Sequence, residues 1–307
     1  MTIKNVSRII IIALALLQAV YLPAWGREGG VNEHVLGFAE SLYDEGDYFR
    51  AIGEYKRFIF LHPGDLLAER AHFRIAESFF QAKRWQEAID AGQLFLTKYP
   101  ASLRYFEMLY LKGRVERQDR RYADALLTFD AIVTARELDY GDKARYQKAL
   151  IRLEQRDWQG AKESLLQFPP GSPLSFTATA FAAEIPNRED LPRKSPVTAG
   201  LLAALLPGAG HLYAERPRDA LMAFLLNGAF IWGAVELFRQ DNYAAGGIVA
   251  FFEAGWYSGN IYSAVSSVHK YNRDIEDNLI QKLKDKFSVS FRQERGAPAI
   301  MIGKIFP

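Results

Sequence analysis

The sequence predicts an all-α protein, a helical solenoid followed by a small helical transmembrane domain. Three observations predict it. An aromatic residue with alanine three positions later recurs at Tyr48/Ala51, Trp85/Ala88, Tyr122/Ala125 and Trp158/Ala161, spaced by 37, 37 and 36 residues. A sustained period of this size marks a stacked repeat array. Charge is also unevenly placed. Residues 27–194 hold 25 basic and 26 acidic side chains, residues 195–268 only 3 and 5, and residues 269–307 hold 8 and 5. Finally, the charge-poor segment contains apolar runs long enough to cross a bilayer.

The 307-residue chain has a net charge of +2, so electrostatics favour no nucleic acid partner. Cysteine is absent, which excludes disulfides, thiolate metal sites and a cysteine nucleophile. The histidines at 34, 62, 72, 211 and 269 have no ligand spacing, and no metal or cofactor motif is visible. No nucleophile–base–orienter set is recognisable, so the expectation is a non-enzymatic protein.

Residues 1–26 have the pattern of a signal peptide. Lys4 and Arg8 precede the apolar run Ile9–Val20, Pro23 breaks it, and Ala24-Trp25-Gly26 offers small residues for cleavage. An uncleaved anchor is the alternative. Either form sends residue 27 onward across the membrane. A bacterial organisation then puts the following domain in the periplasm, attached to the inner membrane.

Residues 27–190 form the predicted solenoid. Each aromatic follows a charged or Gly-Asp turn (Gly46-Asp47, Lys83-Arg84, Arg120-Arg121, Arg156-Asp157). Small residues stand twelve positions before the alanines, at Ala39, Ala76, Gly113 and Ala149. Pro63 and Pro100 stand twelve positions after the first two. Two fixed small positions let the first helix of a unit (A) approach the second (B), and proline ends helix B. The pattern resembles the tetratricopeptide repeat over residues 31–168, and its long unit is similar to periplasmic repeats of the envelope-assembly type. Repeats three and four lack the proline at its usual place, and the stretch 174–185 is a candidate capping helix.

The resemblance implies a groove lined by helix A that binds an extended peptide or a helix. Carried over by position, the groove residues are Leu36, Glu40 and Tyr43; Arg70, Phe73, Glu77 and Phe80; Tyr110, Arg114 and Arg117; and Lys143, Tyr146 and Leu150. Aromatics interleaved with arginines suit a protein partner. Assignment of the same rings to the core between repeats is the bland alternative.

Pro186 to Pro196 reads as a linker. Beyond it lies the predicted transmembrane domain, residues 195–268, with apolar stretches Val197–Tyr213, Ala220–Phe238 and Tyr243–Val268. The string Pro207-Gly208-Ala209-Gly210-His211-Leu212-Tyr213, followed by Arg216 and Arg218, resembles transmembrane-two-type domains with a P-G-x-G-x-x-Y signature, a group that implies membrane architecture and no established activity. Gly228, Gly233, Gly246, Gly247, Gly255 and Gly259 are expected to permit close helix approach. Asn227, Glu236, Glu253 and Asn260 need partners in hydrocarbon, and a Glu253–Asn227 hydrogen bond is expected, with His211 as second candidate. A proton or ion path is the functional alternative. Positive-inside bias favours three crossings, with a re-entrant first segment as the alternative.

Residues 269–307 form an amphipathic tail. Ile275, Leu279, Ile280, Leu283 and Phe287 recur at helical spacing opposite Lys282, Lys284 and Lys286. This suits an anionic membrane surface or packing on the protein itself. Alternation around residues 287–291 and 299–306 suggests a short two-stranded element. The combined expectation is a membrane-anchored periplasmic scaffold with a protein or peptide partner and membrane lipid, acting in envelope assembly or secretion. The alternative is an accessory subunit of a transport system, with residues 195–268 as its working part.

Overall fold

A computed structural model describes residues 28–136, 138–287, 289–294 and 297–302. The leader expected at residues 1–26 lies outside them. The helices are α1 (Glu28–Asp44), α2 (Tyr48–Leu61), α3 (Leu67–Gln81), α4 (Trp85–Lys98), α5 (Tyr105–Gln118), α6 (Tyr122–Thr134), α7 (Leu138–Glu154), α8 (Trp158–Leu166), α9 (Ser175–Glu184), α10 (Pro196–Leu205), α11 (Ala209–Tyr213), α12 (Pro217–Arg239) and α13 (Tyr243–Lys286). Two short strands, β1 (Val289–Glu294) and β2 (Ala297–Ile302), pair antiparallel with Val289 opposite Ile302. The fold is a tetratricopeptide-like helical solenoid with an apolar helix near the C-terminus. The chain divides into two compact units, Met1–Ile151 and Arg152–Pro307. The division falls inside α7, upstream of the linker that composition marks.

In the first unit, A and B helices alternate. Each A helix ends in the same way, with Gly46, Lys83 and Arg120 in the left-handed region. The next amide reaches back over the turn: Asp47 N–H to Leu42 O, Arg84 N–H to Phe79 O, and Arg121 N–H to Glu116 O, at 2.8–2.9 Å. These paired bonds satisfy orphan carbonyls at the helix end. They also explain the charged dipeptides of the sequence, which are helix stops. Arg156 repeats the arrangement in the second unit. A left-handed lysine or arginine costs about 1 kcal/mol relative to glycine. Lys83→Gly and Arg120→Gly are therefore each expected to stabilise the protein by up to about 1 kcal/mol, read as a higher thermal midpoint. An unchanged or lower midpoint would contradict it.

The small positions are buried throughout: Ala39, Ala76, Ala51, Ala88 and Ala125 are in the core. Gly113 is the tightest of them, because a Cβ there would lie 2.8 Å from the Phe129 ring. Pro63 and Pro100 follow caps at His62 and Tyr99 that have left helical geometry. Successive cores form around Tyr55 and Phe58, then Phe73 and Phe95, then Phe129 and Ile132.

The second unit begins with α8, capped by Asp157, whose side chain accepts the Gly160 amide at 2.9 Å. It is short because Pro169-Pro170 follow, and α9 occupies the stretch expected to cap the array. The first apolar stretch, Val197–Tyr213, is not one helix. It breaks at Leu206-Pro207-Gly208 into α10 and α11, of 10 and 5 residues. At 1.5 Å per residue neither by itself spans the roughly 30 Å hydrocarbon layer, so the first stretch is not one continuous spanning helix. Among the described residues, α12 is the one helix long and apolar enough to cross a membrane. The third stretch and the tail helix are a single 44-residue helix, α13. Its polar residues dilute its first half below the hydropathy of a spanning segment.

The lysine-bearing end of α13 packs within its own unit. Lys284 binds Glu154 and Lys286 binds Glu184, both at 2.5 Å. Arg156 holds Glu276 at 2.7 Å and Asp277 at 2.6 Å. Phe287 stacks on Phe181 with ring centroids 4.6 Å apart, and Ile280 and Leu283 are buried. The counter-charges for Lys284 and Lys286 are thus carboxylates of this chain.

Candidate functional site

On the A-helix face the expected groove residues separate into two sets. Leu36, Phe73, Tyr110, Tyr146 and Leu150 are buried. This corrects their assignment as contact residues: Leu36 joins the core around Tyr55, Phe73 packs on Phe95 and Tyr110 on Phe129, the seams to the B helices. Glu40, Tyr43, Arg70, Glu77, Phe80, Arg114, Arg117 and Lys143 keep some exposure.

Much of this second set is paired. Glu40 on α1 receives Arg70 at 3.0 Å and Arg74 at 2.7 Å, both from α3. Arg74 also binds Glu77 at 2.8 Å and lies over the Tyr43 ring. Burial raises the Glu77 carboxyl above its usual range, with Arg74 opposing the shift. Between α5 and α7, Gln147 donates to the Tyr110 hydroxyl at 3.1 Å and accepts from Arg117 at 2.6 Å. Burial lowers the Lys143 ammonium, with Asp139 and Glu107 opposing. The face is therefore stitched from one A helix to the next. Arg114, exposed and lying 4.9 Å from the Phe80 ring centroid, offers an aromatic–cation pair to a partner. Arg74, Arg104 and Gln147 were not foreseen. Arg104 covers Phe73, with its guanidinium 3.4 Å from the ring centroid.

His72, buried on α3, makes a 2.8 Å Nδ1 contact to Ala68 O and lies 3.5 Å from the Lys98 ammonium. Burial holds its pKa below 6.5; the Ala68 bond opposes this and Lys98 adds to it. A base depressed in the folded state contributes stability that is complete above its unfolded pKa and is lost as pH falls through the folded value. Thermal stability is thus expected to fall below pH ~6.5, and less steeply in His72→Asn, which keeps a donor for Ala68 without titrating. Parallel pH profiles for the two proteins would refute this.

In the second unit the P-G-x-G-x-x-Y string forms a corner. Gly208 has φ +88°, and a Cβ there would lie 2.2 Å from Ala220 O. Gly210 passes beneath α10, where a Cβ would meet Ala199 O at 2.3 Å and the Ala264 methyl at 2.7 Å. His211 is buried with Nε2 3.1 Å from Ser263 Oγ on α13. The Tyr213 hydroxyl accepts the Ser195 amide at 3.1 Å, and its carbonyl accepts from Lys194 Nζ at 2.8 Å. Lys194 is further fixed by reciprocal bonds of its backbone with Asn272, at 2.8 and 2.9 Å. Each signature residue so far named serves the junction of α10, α11, α12 and α13.

The α12–α13 hairpin is inside-out. Its buried positions are small or polar: Ala220, Asn227 and Ala234 on α12, and Gly246, Glu253, Asn260 and Ser267 on α13, both at a seven-residue spacing. Its exposed positions are large and apolar, including Leu221, Phe224, Ile231 and Trp232 (71% exposed) and Phe251 (76%) and Trp256. The Glu253–Asn227 bond is not formed. Asn227 donates to Ala223 O on its own helix at 2.6 Å, while its oxygen, both Glu253 oxygens and both Asn260 amide atoms have no partner. His211 does not serve Glu253 either, being bonded to Ser263. Glu236 is half-exposed and accepts from Gln240 at 2.8 Å. The glycines also differ from expectation. Gly246 closes on Phe238, but Gly228, Gly233, Gly247, Gly255 and Gly259 face open space. Ser263, Ser267 and Asn272 were missed, although the polar heptad Glu253, Asn260, Ser267 was visible in the sequence.

Comparison with known proteins bears on the repeats. Residues 36–102 match the tetratricopeptide repeat family. Over 72 residues the chain is 31% identical to an outer membrane protein assembly factor, BamD, of Rickettsia prowazekii (strain Madrid E), a match taking in 24% of this chain and 29% of that protein. The chain thus spans under a third of the length of that curated relative. A crystal structure of a tetratricopeptide repeat protein from Parabacteroides merdae aligns over 82% of this chain and 98% of its own, at 15% identity and a TM-score of 0.42. Residues 36–102 thus match a repeat whose fold is typical of non-enzymatic protein-interaction scaffolds.

Proposed function

We propose that this chain is a membrane-anchored periplasmic scaffold whose repeat array holds a protein partner in envelope assembly or secretion. The observation that carries the membrane part is the inside-out hairpin. Water penalises Phe224, Trp232, Phe251 and Trp256 on the outside and Glu253 on the inside, whereas a bilayer favours the first and tolerates the second. The envelope role rests on the likeness to an outer membrane protein assembly factor and on the leader-like residues 1–26. The partner surface centres on the exposed Arg114 and the half-buried Phe80 beneath it, flanked by Arg70 and Lys143.

Two measurements test the reading. The full chain is expected in the membrane fraction, released by detergent, with a reporter after residue 150 active only outside the cytosol. A photo-crosslinking residue in place of Phe80 or Arg114 is expected to capture one protein partner that the buried position of Phe73 does not. A chain soluble without detergent, or a cytosolic reporter, would remove the anchor. The transport alternative draws on Glu253, buried without a partner. It predicts that Glu253→Gln abolishes a coupled proton flux at unchanged protein level.

A further inference from the structure

Between α12 and α13 lies a groove of about 950 Å³. One wall carries Leu226 and the other Phe251, both with outward exposure. Gly255 and Gly259 form part of its lining, and a Cβ at either would touch nothing within 4 Å. The glycines therefore do not draw these two helices together; they leave room. The opposite end of the groove is polar. His211 and Asn260 are more than nine-tenths buried there, with the His211 Nδ1 and both Asn260 amide atoms lacking partners. Asp219, ion-paired with Arg216 at 2.5 Å, stands at the same end.

We infer that this groove is a binding site for a membrane lipid, its acyl chain lying along Leu226, Gly255 and Phe251 and its polar head reaching His211 and Asn260. The inference rests on the membrane reading above. Its occupant follows from the polarity gradient: an amphiphile is apolar along one length and carries donors and acceptors at one end, as the groove does. The polar end also lies beside Arg216 and Arg218, where a basic pair marks the membrane–water interface. Hydrocarbon chains are the solvent at the mouth of a groove flanked by a spanning helix, so no separate entry route is needed.

The test uses full-length protein in vesicles of phosphatidylethanolamine and phosphatidylglycerol, doped with phosphatidylcholine carrying a diazirine on its acyl chain. Illumination is expected to label peptides around Gly255 and Gly259. Gly255→Leu with Gly259→Leu adds bulk where a Cβ meets nothing within 4 Å and is expected to cut that labelling about tenfold, while labelling at the outward Leu225 and Trp232 is unchanged. Equal labelling of groove and outer surface, unaffected by the double substitution, would overturn the site. The chain lacks cysteine, so Gly259→Cys gives a clean probe. Efficient disulfide dimers at that position would assign the groove to a second copy and also overturn the lipid. Loss of the protein to the soluble fraction, seen before illumination, would instead refute the membrane reading on which the site depends.

Discussion

Gly210→Ala is expected to unfold the corner of the second unit, lowering stability by about 3 kcal/mol or more. The added methyl would sit 2.3 Å from the Ala199 carbonyl and 2.7 Å from the Ala264 methyl. Neither can step aside: the first is backbone in α10, and Ala264 is itself buried on α13. Alanine's gain in helix propensity, about 1 kcal/mol, is too small to offset the overlap. The effect should extend beyond the corner, because the same junction seats His211 against Ser263 and Tyr213 against Ser195. Thermal unfolding in detergent, followed by tryptophan fluorescence, reads it. Gly228→Ala, where a Cβ meets nothing within 4 Å, is the matched control and should change little. If the two variants melt alike, the close approach at Gly210 is wrong.

The second large effect is Gly113→Ala. On repeat register alone it looks stabilising, since Ala39, Ala76 and Ala149 occupy that position elsewhere and alanine favours helix by about 1 kcal/mol. The packing reverses the sign. The new methyl would lie 2.8 Å from two atoms of the Phe129 ring, and Phe129 is fully buried, with nowhere to turn. Overpacking of this kind costs about 1–3 kcal/mol, so a net loss of up to about 2 kcal/mol is expected. The first, second and fourth repeats carry Tyr55, Gly92 and Leu165 at the position of Phe129. Gly113→Ala with Phe129→Leu copies the fourth repeat's pair and is expected to recover most of the loss. Hydrogen exchange across α5 and α6 localises the effect. A stabilised single variant would show that register, and not the Phe129 contact, governs the site.

The two glycines differ in how far sequence could explain them. The register of the solenoid is written in the chain because aromatic, alanine, turn and proline recur at a fixed interval, and local geometry answers each. Left-handed helix stops at Gly46, Lys83, Arg120 and Arg156 fall where the charged dipeptides stand. The expected binding residues were less legible. Leu36, Phe73 and Tyr146 occupy helix A as expected, yet an A helix has two working faces, and one-turn differences decide which a ring enters. Arg74 and Gln147 were overlooked because their importance lies in partners about 30 residues away.

In the apolar half, composition identified the hairpin and the Pro-Gly break. It could not predict that α13 continues without interruption through residue 286, since a change from apolar to charged residues is not a helix stop. Nor could it set hydrogen-bond partners. The Glu253–Asn227 pair was inferred from level along an antiparallel hairpin, but level fixes only height, while side-chain direction around the helix axis decides contact. Sequence by itself determined the repeat period, the helix ends and the location of the apolar segment, all of which follow from chemistry within a few residues. Tertiary structure alone decided which rings are core, which glycines are tight and which are open, and that the lysine face of α13 meets carboxylates of its own chain. Those outcomes depend on the distance between atoms far apart in sequence.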